Sequence, residues 1–410
     1  MIKQKNLEYF SLLLYLIGIS AFQLGSGFDA IFVRLSFVLM IAACILTKMK
    51  IQLTSHLKWC LLFWGLYYIS MIWASNKVDT MYYVNNTVQI IGISICFSII
   101  VKNKDDINIV LKLIAFSMLF TSIRLIIYTP ISAWGTERIG EAIGQNSNGL
   151  GMRLAIAAVM SLYLLHKEIE EKNKQRKLTV ILYSLMLILF SVLILFTGSK
   201  KSILVLVVGL SIYELMITKG WKFLLKVLLI VGGVLVLIYL IFNNEMLYTV
   251  LGRRIERTLL TLQGTATGFS IDRSLEERSY YRQMAKQLFF DYPILGYGGN
   301  NFMSYMREIG YSHVAYCHDN YFEILSTLGI VGFVLYYFEW VLVEVRLLKL
   351  YKYNKKDKVC LLLSVIIAIE LVMDYGNVSY VSEFTQMILI MGFLVNRTYG
   401  NFRNQNTKKG

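Results

Sequence analysis

The sequence contains few charged residues. Asp, Glu, Lys and Arg make up 16% of its 410 residues, whereas a soluble domain of ordinary composition carries about 25%. Hydrophobic residues reach 56%, and apolar runs close to the roughly 20 residues that a helix needs to cross a bilayer recur along the chain. The shortage of charge excludes an ordinary soluble protein and predicts an all-α polytopic membrane protein.

The sequence also lacks the motifs of several common binding sites. It contains no P-loop and no Gly-x-Gly-x-x-Gly fingerprint, and no set of His, Cys, Asp and Glu residues has the spacing of metal ligands. Four of the five cysteines fall in or beside apolar runs, and only Cys317 lies in a polar loop, which excludes a disulfide framework. No internal repeat or low-complexity tract is present. We therefore expect neither a metal ion nor any other cofactor.

The net charge of +15 is compatible with a nucleic-acid partner, but its distribution argues against one. Most basic residues lie in short segments between apolar runs, which is typical of the cytoplasmic loops of membrane proteins. This positive-inside rule places both termini in the cytoplasm. It places on the same side the connectors that contain Lys48, Lys50, Lys58, Lys102, Lys104, Lys167, Lys172, Lys174, Arg176, Lys177, Lys219, Lys222, Arg346, Lys349, Lys352, Lys355, Lys356 and Lys358.

The apolar runs predict twelve transmembrane helices. We interpret the first as a retained span and not as a signal peptide, because no convincing Ala-x-Ala site follows it. Four regions result: a nine-span bundle at 1–242, a large extracytoplasmic loop at 243–319, a three-span bundle at 320–397 and a basic cytoplasmic tail at 398–410. The predicted spans are 9–25, 28–47, 57–73, 83–101, 107–128, 149–165, 178–197, 201–218, 221–242, 320–345, 359–376 and 380–396.

Several cations lie near the outer ends of spans, where the positive-inside rule does not predict them. A charge within a span is costly and usually faces a cavity or a partner, although one long side chain near a helix end can reach the headgroups. The grouping of these cations at one depth favours an anionic ligand at the outer leaflet. The group consists of Arg34, Arg124, Arg153, Lys200 and Lys201, with Arg138 in the adjacent outer loop.

The large loop contains a predicted amphipathic helix, "SLEERSYYRQMAKQLFF". Arg278, Arg282 and Lys286 are spaced by four and share one helical face. A helix resting on lipid headgroups with a solvated basic stripe is the alternative interpretation. Pro293 ends the helix, and a glycine cluster then permits tight turns or close approach by a ligand. The apolar positions beside the stripe are Tyr281, Met284, Ala285 and Leu288, and the glycines are Gly296, Gly298 and Gly299.

The stretch "HVAYCHDNYFEIL" sets polar residues directly before an apolar run. Asn320 and Glu323 resemble a capping box, so we predict that the tenth span begins at Asn320. His318 and Asp319 then lie at the start of a helix, where free N–H groups favour anions. A histidine there can act as base, acid or anion ligand near neutral pH. The alternative is a histidine that only makes local hydrogen bonds.

Three stretches together resemble the O-antigen ligase and Wzy-type polysaccharide polymerase superfamily. They are "TGSKKS", "ERSYYRQMAKQLFFDYPILGYGGNNF" and "HDNYFEILSTLGIVGF", and the family's ligase-type domain would occupy about residues 145–345. The resemblance implies a membrane glycosyltransferase of the GT-C type in the bacterial plasma membrane. Such enzymes transfer a glycan from an undecaprenyl-diphosphate donor to an acceptor sugar hydroxyl at the outer leaflet, without metal or nucleotide sugar. A flippase and chain-length regulator proteins are the candidate protein partners.

The resemblance also implies roles for individual residues. Arg278 matches the family's loop arginine and His318 its loop histidine, which makes both candidate catalytic residues together with Asp319. Lys200 stands where the family often has arginine, and lysine lacks the bidentate fork toward phosphate. "QNSNG" at 145–149 resembles an Asn-Pro-Asn element with Ser147 in place of proline. The predicted pyrophosphate ligands are Lys200, Lys201, Arg138, Arg282 and Arg153, and the predicted substrate-loop residues are Asn146, Asn148, Pro293, Gly296, Gly298 and Asn320.

Within that superfamily we favour a polymerase, which joins lipid-linked repeat units into capsular or O-antigen chains. A ligase that passes finished glycan to a lipid, protein or wall acceptor is the first alternative. A transporter or flippase for lipid-linked precursors is the second, with Glu214, Glu339 and Glu370 as candidate pathway residues. Transporters commonly show two related halves and a site near the bilayer midplane, and neither feature is evident here.

Overall fold

The computed structural model describes residues 2–22, 27–47, 51–171, 176–311, 314–355 and 357–407. Five of the predicted inner cations, Lys48, Lys50, Lys172, Lys174 and Lys356, lie outside the described residues. The α-helices are α1 (Ile2–Ala21), α2 (Phe28–Leu46), α3 (Ser55–Ile69), α4 (Lys77–Met81), α5 (Val84–Ile100), α6 (Lys104–Tyr128), α7 (Ser147–Glu170), α8 (Arg176–Phe196), α9 (Lys200–Ile217), α10 (Trp221–Asn243), α11 (Glu245–Leu247), α12 (Arg253–Leu262), α13 (Arg273–Asp291), α14 (Phe302–Glu308), α15 (Asn320–Tyr353), α16 (Lys358–Met373) and α17 (Glu383–Thr407).

The described part of the chain contains eight helices that are long and apolar enough to cross a membrane. Helices α1, α3, α9 and α17 occupy the other four predicted spans. The polytopic helical architecture is therefore confirmed, while the count of twelve spans and the extracytoplasmic position of residues 243–319 stay predictions. The eight are Phe28–Leu46, Lys77–Ile100, Lys104–Tyr128, Ser147–Glu170, Lys177–Phe196, Trp221–Asn243, Asn320–Tyr353 and Lys358–Gly376.

Helix α10 shows most clearly how a lipid environment shapes the sequence. It is apolar on all sides, yet only 6% of its most apolar window is buried within the protein. In water such a helix would aggregate or be buried. In a bilayer its surroundings are as apolar as its side chains, and its backbone hydrogen bonds are satisfied internally.

The chain folds into two compact units that interleave in sequence. Unit one comprises Met1–Ala43, Asp105–Asp272 and Asn354–Ile366, and unit two comprises Cys44–Lys104, Arg273–Tyr353 and Ile367–Gly410. The four contiguous regions predicted from the order of the spans stay a prediction.

Helix α7 forms the centre of unit one. Ala155, Ala157 and Ala158 are fully buried, which is typical of membrane helices that pack closely through small side chains. A Cβ atom added to Gly151 would lie only 2.5 Å from the Ser202 Oγ atom. Glycine at this position therefore allows α7 to pack directly against the start of α9.

Helix α15 forms the centre of unit two and is broken at Gly329. The backbone there has φ 64° and ψ −168°, a conformation that only glycine adopts readily. Residues 293–298 fill the break: the Ile330 N–H donates to the Pro293 carbonyl oxygen at 2.9 Å, and the Gly298 N–H donates to the Thr327 carbonyl oxygen at 2.8 Å. Backbone groups freed by the break are thus satisfied by protein, as a low-dielectric environment requires.

The glycine cluster after α13 serves this close contact between backbones. A Cβ atom at Gly296 would lie 2.3 Å from the Thr327 carbonyl carbon, and one at Gly298 would lie 2.4 Å from the Ala74 Cβ atom. Both glycines also have positive φ, at 70° and 116°. The sequence allowed tight turns or close approach by a ligand. The structure shows the tight turns, and the groups closest to both glycines belong to the protein itself. A role in a substrate loop stays a prediction.

Candidate functional site

Helix α13 has the predicted amphipathic arrangement, and its apolar face is covered by protein. Tyr281, Ala285 and Leu288 are buried in a cluster with Phe302, Met306 and Cys317, and Met284 is partly buried against the same cluster. A helix resting on headgroups would leave that face toward lipid, so the packing disfavours the headgroup interpretation. The cluster fixes the orientation of α13 within unit two.

Two arginines of α13, Arg278 and Arg282, lie near the segment that precedes α15. Burial raises the pKa of the Tyr316 phenol, and the positive charge of Arg278 opposes that rise. Burial likewise raises the pKa of the Cys317 thiol well above its usual value, and Arg282 opposes that rise. The Arg282 guanidinium also lies 4.8 Å from the centre of the Tyr375 ring. Lys286, the third cation of the stripe, is exposed.

His318 is held in an unusual backbone conformation beside these arginines. Its φ is 58°, and a residue other than glycine in such a conformation costs about 1–3 kcal/mol, which the surrounding structure must offset. The imidazole centre lies 4.0 Å from the Tyr316 ring centre and 6.2 Å from that of Tyr281. Strain of this kind is common at functional sites.

The start of α15 is capped differently from the prediction. The helix begins at Asn320 as expected, but the cap is Asp319, whose Oδ1 atom accepts a hydrogen bond from the Phe322 N–H at 3.1 Å. The assignment of Asn320 to the capping box was wrong by one position. The Glu323 carboxylate accepts a hydrogen bond from a backbone N–H before the helix, as in a capping box. The donor is the Cys317 N–H at 2.9 Å and not the N–H of the cap residue. An aspartate directly before the helix has an acceptor oxygen closer to the free N–H groups than Asn320 has.

Asn320 holds α15 within unit two through a buried polar network. Its Nδ2 group donates to the Tyr337 hydroxyl at 2.8 Å and to Asp374 Oδ2 at 3.1 Å. Its Oδ1 atom accepts from the N–H groups of Ser379 and Tyr380 at 3.0 and 3.1 Å. The side chain is fully buried, and its hydrogen bonds are used within the protein. No local motif links Asp374 or Ser379 to Asn320, so neither residue could be identified from the sequence.

The predicted pyrophosphate ligand Lys200 belongs to unit one, where it has a counter-ion. Its Nζ atom donates to Asp272 Oδ2 at 2.7 Å and also to the Thr258 hydroxyl. Thr258 in turn donates to the same carboxylate at 2.6 Å. Asp272 was not among the residues predicted from the sequence, because it lies far from Lys200 in the chain.

Other predicted cations of unit one are also held by neighbouring groups. The Arg138 Nη2 group donates to Asn148 Oδ1 at 2.7 Å, and the Arg153 Nη2 group donates to Gln145 Oε1 at 2.7 Å. Asn146 caps α7 by accepting from the Asn148 N–H at 2.9 Å. Lys201 is the second residue of α9 and is partly buried, Arg124 pairs with Asp29 at 3.3 Å, and Arg34 is exposed.

The structure thus divides the predicted site residues between the two units. Arg278, Arg282, His318, Asp319 and Asn320 all belong to unit two. The cations Lys200, Lys201, Arg138 and Arg153 belong to unit one, as do Asn146 and Asn148. The predicted roles of these residues stay predictions.

The acids proposed for a transport pathway have local partners in two of three cases. Glu214 pairs with His166 at 2.9 Å and with Lys226, and Glu339 lies 3.4 Å from His56. Glu370 is buried. Among the described residues no group of three or more His, Cys, Asp or Glu side chains is placed to hold a metal ion. The prediction that no cofactor is needed stays a prediction.

A comparison with known protein families matches residues 185–337 to the O-antigen ligase family. Residues 185–337 of the chain therefore form a domain of the O-antigen ligase type. The resemblance inferred from the three sequence stretches is therefore confirmed, although the matched range is shorter than the expected 145–345. No curated protein matches the chain.

The O-antigen ligase domain begins within α8 and ends within α15. It contains the whole of α13 and therefore Arg278 and Arg282, and it also contains His318 and the break at Gly329. It contains Lys200 and Lys201 as well. The predicted ligands Arg138 and Arg153, and the element with Asn146 and Asn148, precede the matched range.

Proposed function

We propose that the chain is a membrane glycosyltransferase that polymerises undecaprenyl-diphosphate-linked oligosaccharide repeat units into capsular or O-antigen polysaccharide. The reaction takes place at the outer leaflet of the bacterial plasma membrane, with both termini in the cytoplasm. Membership of the superfamily supports the reaction class. The observation that carries the assignment of the site is the strained His318, with Arg278 and Arg282 beside the same segment.

The chemistry requires positive charge and a proton acceptor. The hydroxyl of the acceptor sugar attacks the anomeric carbon of the donor, a new C–O bond forms, and the bond between that carbon and the diphosphate oxygen breaks. The lipid diphosphate leaves with an additional negative charge. Arg278 and Arg282 stabilise that charge, because guanidinium groups form paired hydrogen bonds with phosphate oxygens and preorganised cations act most strongly in the transition state.

His318 orients the attacking hydroxyl and accepts its proton. An imidazole is suited to this step near neutral pH, and it packs against the Tyr316 ring with a centroid distance of 4.0 Å. Asp319 commits one oxygen to the cap of α15. The Asp319 carboxylate is the candidate group that supports the histidine or the acceptor. The reaction needs no metal in this scheme.

The predicted donor contacts in unit one form a separate part of the proposal. To bind a phosphate oxygen, Lys200 would have to break its ion pair with Asp272. Its net contribution to binding is therefore smaller than that of an arginine that breaks no ion pair when it binds. Lys201, Arg138 and Arg153 are proposed as further donor contacts. Single variants of these residues test each contribution independently of Arg278.

The experiment compares two cations of the same helix in purified protein reconstituted with lipid-linked repeat units. We expect Arg278→Gln to reduce transfer by roughly 100- to 1,000-fold, the typical loss when one preorganised transition-state donor is removed. The matched control is Lys286→Gln, which removes an exposed charge from the same stripe and should transfer at a rate close to wild type. Equal activity of the two variants would refute the assignment of Arg278.

The products of the same assay separate the alternatives. A ladder of lengthening glycans supports the polymerase. A single transfer to a lipid, protein or wall acceptor would instead show a ligase, the activity that the family description names. In cells, loss of Arg278 in a polymerase leaves single lipid-linked units on the outer leaflet, whereas loss of function in a flippase traps them inside. A flippase and chain-length regulators are the proposed protein partners in cells.

A further inference from the structure

A basic cavity lies in unit two, at the end of α15 opposite Asn320. It has a volume of about 560 Å³. Three helices meet there: the start of α3, the last turns of α15 and the middle of α17. The lining residues come from these three places and are Gln52, Leu53, Thr54 and Ser55, then Arg346, Lys349 and Leu350, and lastly Phe393, Asn396, Arg397 and Gly400.

The charge of this cavity is of one sign. Arg346, Lys349 and Arg397 contribute three cations, and no carboxylate lines it. Arg346 and Lys349 are exposed, and neither has an ion-pair partner among the described residues. The start of α3 adds free backbone N–H groups, because Thr54 caps only the Leu57 N–H and the first turn of a helix leaves further donors unused.

Two buried polar atoms in the cavity wall have no hydrogen-bond partner in the described part of the chain. The Arg397 Nη2 group donates to the Val101 and Ser98 carbonyl oxygens at 2.9 and 3.3 Å, which fixes the guanidinium, while its Nη1 group is buried and unpaired. The Asn396 side chain is 9% exposed, and its Oδ1 atom is also unpaired. Buried polar groups in proteins are normally satisfied, so the pair indicates a ligand with both acceptor and donor atoms.

We propose that this cavity binds a phosphate-bearing anion, and that its occupant in the membrane is the headgroup of an acidic phospholipid. Phosphate oxygens would accept from Arg346, Lys349 and the Arg397 Nη1 group, and a headgroup hydroxyl would donate to Asn396 Oδ1. Leu53, which is 61% exposed, offers an apolar surface to the acyl chains. The positive-inside rule places this end of α15 in the inner leaflet. The inference is independent of the proposed glycosyl transfer.

The test uses full-length protein in a neutral detergent and measures retention of phosphatidylglycerol by native mass spectrometry. Phosphatidylcholine serves as the neutral comparison. The test variant is the double substitution Arg346→Gln with Lys349→Gln, which removes two exposed charges. Its matched control is Lys58→Gln with Lys352→Gln, which removes two exposed charges from the same ends of α3 and α15 outside the cavity lining.

We expect wild-type protein to retain phosphatidylglycerol in preference to phosphatidylcholine. The test variant should bind phosphatidylglycerol at least about tenfold more weakly, since one charged hydrogen bond accounts for a factor of that size, and the control should bind like wild type. Equal loss in both double variants would show that only the overall surface charge matters and would overturn the proposal. Equal retention of the two lipids would overturn it as well.

A competition arm identifies the source of the phosphate. Inorganic phosphate at millimolar concentration should displace phosphatidylglycerol only weakly, because it lacks the acyl chains that contact the apolar lining. Binding of inorganic phosphate as tight as that of the lipid would overturn the lipid assignment and show a site for a soluble anion. Unchanged melting temperatures of both double variants establish that a loss of lipid is not a loss of fold.

Discussion

Replacing Gly329 by alanine tests whether residues 293–298 complete the broken helix α15. Gly329 has φ 64° and ψ −168°, and a side chain in this region costs about 1–3 kcal/mol by itself. The added Cβ atom would also lie 2.2 Å from the Ile294 carbonyl oxygen. Relief of that clash requires the loop to move away, which breaks the hydrogen bonds from the Ile330 and Val331 N–H groups to the loop at 2.9 and 3.3 Å.

The chain contains a matched control for the backbone strain. Gly220 has φ 64° and ψ −150°, and a Cβ atom there would meet no atom within 4 Å. Gly220→Ala therefore introduces the backbone strain without a steric clash. Gly329→Ala carries in addition the loss of two backbone hydrogen bonds at about 1 kcal/mol each, so it should be less stable than the control by about 2 kcal/mol.

A thiol-reactive dye is a suitable assay, because all five cysteines are buried in the folded protein. For a unit of this size a difference of about 2 kcal/mol corresponds to about 4–8 °C in melting temperature. Gly296→Ala, with a Cβ contact of 2.3 Å to the backbone of α15, should resemble Gly329→Ala. Equal melting temperatures for Gly329→Ala and Gly220→Ala would refute the role of the loop.

Three further predictions concern the strained histidine, the buried thiol and the ion pair between Lys200 and Asp272. His318→Gly relieves the positive φ and should leave the melting temperature unchanged or slightly higher; a fall of several degrees would show that the imidazole is mainly structural. Burial holds the pKa of Cys317 well above its usual value, so its thiol stays protonated at pH 8.5. Iodoacetamide should therefore label Cys317 at least about tenfold more slowly in the folded than in the unfolded protein, and the labelling rate should rise with pH. Equally fast labelling in both states would contradict the burial. A double-mutant cycle of Lys200→Gln and Asp272→Asn should give a coupling free energy of about 1 kcal/mol, since the pair is partly exposed; a coupling near zero would show that the pair contributes nothing to stability.

Much of the helical architecture could be predicted from the sequence, because the lipid environment imposes long apolar runs. The position of α13 followed from the spacing of its apolar and basic residues, and the start of α15 from the polar residues before an apolar run. The exact cap did not follow, since Asp319 and Asn320 are both good capping residues and only the geometry decides between them.

The contacts that complete the candidate site depend on residues distant in sequence. Nothing near Lys200 indicates that Asp272 neutralises it, and nothing near Asn320 indicates that Asp374 accepts its hydrogen bond. The sequence allowed tight turns or a ligand at the glycines after α13, but it did not indicate that Gly296 lies against the backbone at the break of α15. Local sequence patterns predict local structure, whereas contacts between residues that are distant in sequence are set by tertiary packing.

The central claim is that His318 and its neighbouring arginines form the site of glycosyl transfer. The most direct measurement is the length distribution of the glycan that purified His318→Gly protein makes in liposomes with lipid-linked repeat units. Wild-type protein is assayed in parallel, and the melting temperature of the variant shows that it is folded. The account predicts a ladder of products from wild type and only unextended donor from the variant. A full ladder from His318→Gly would contradict it.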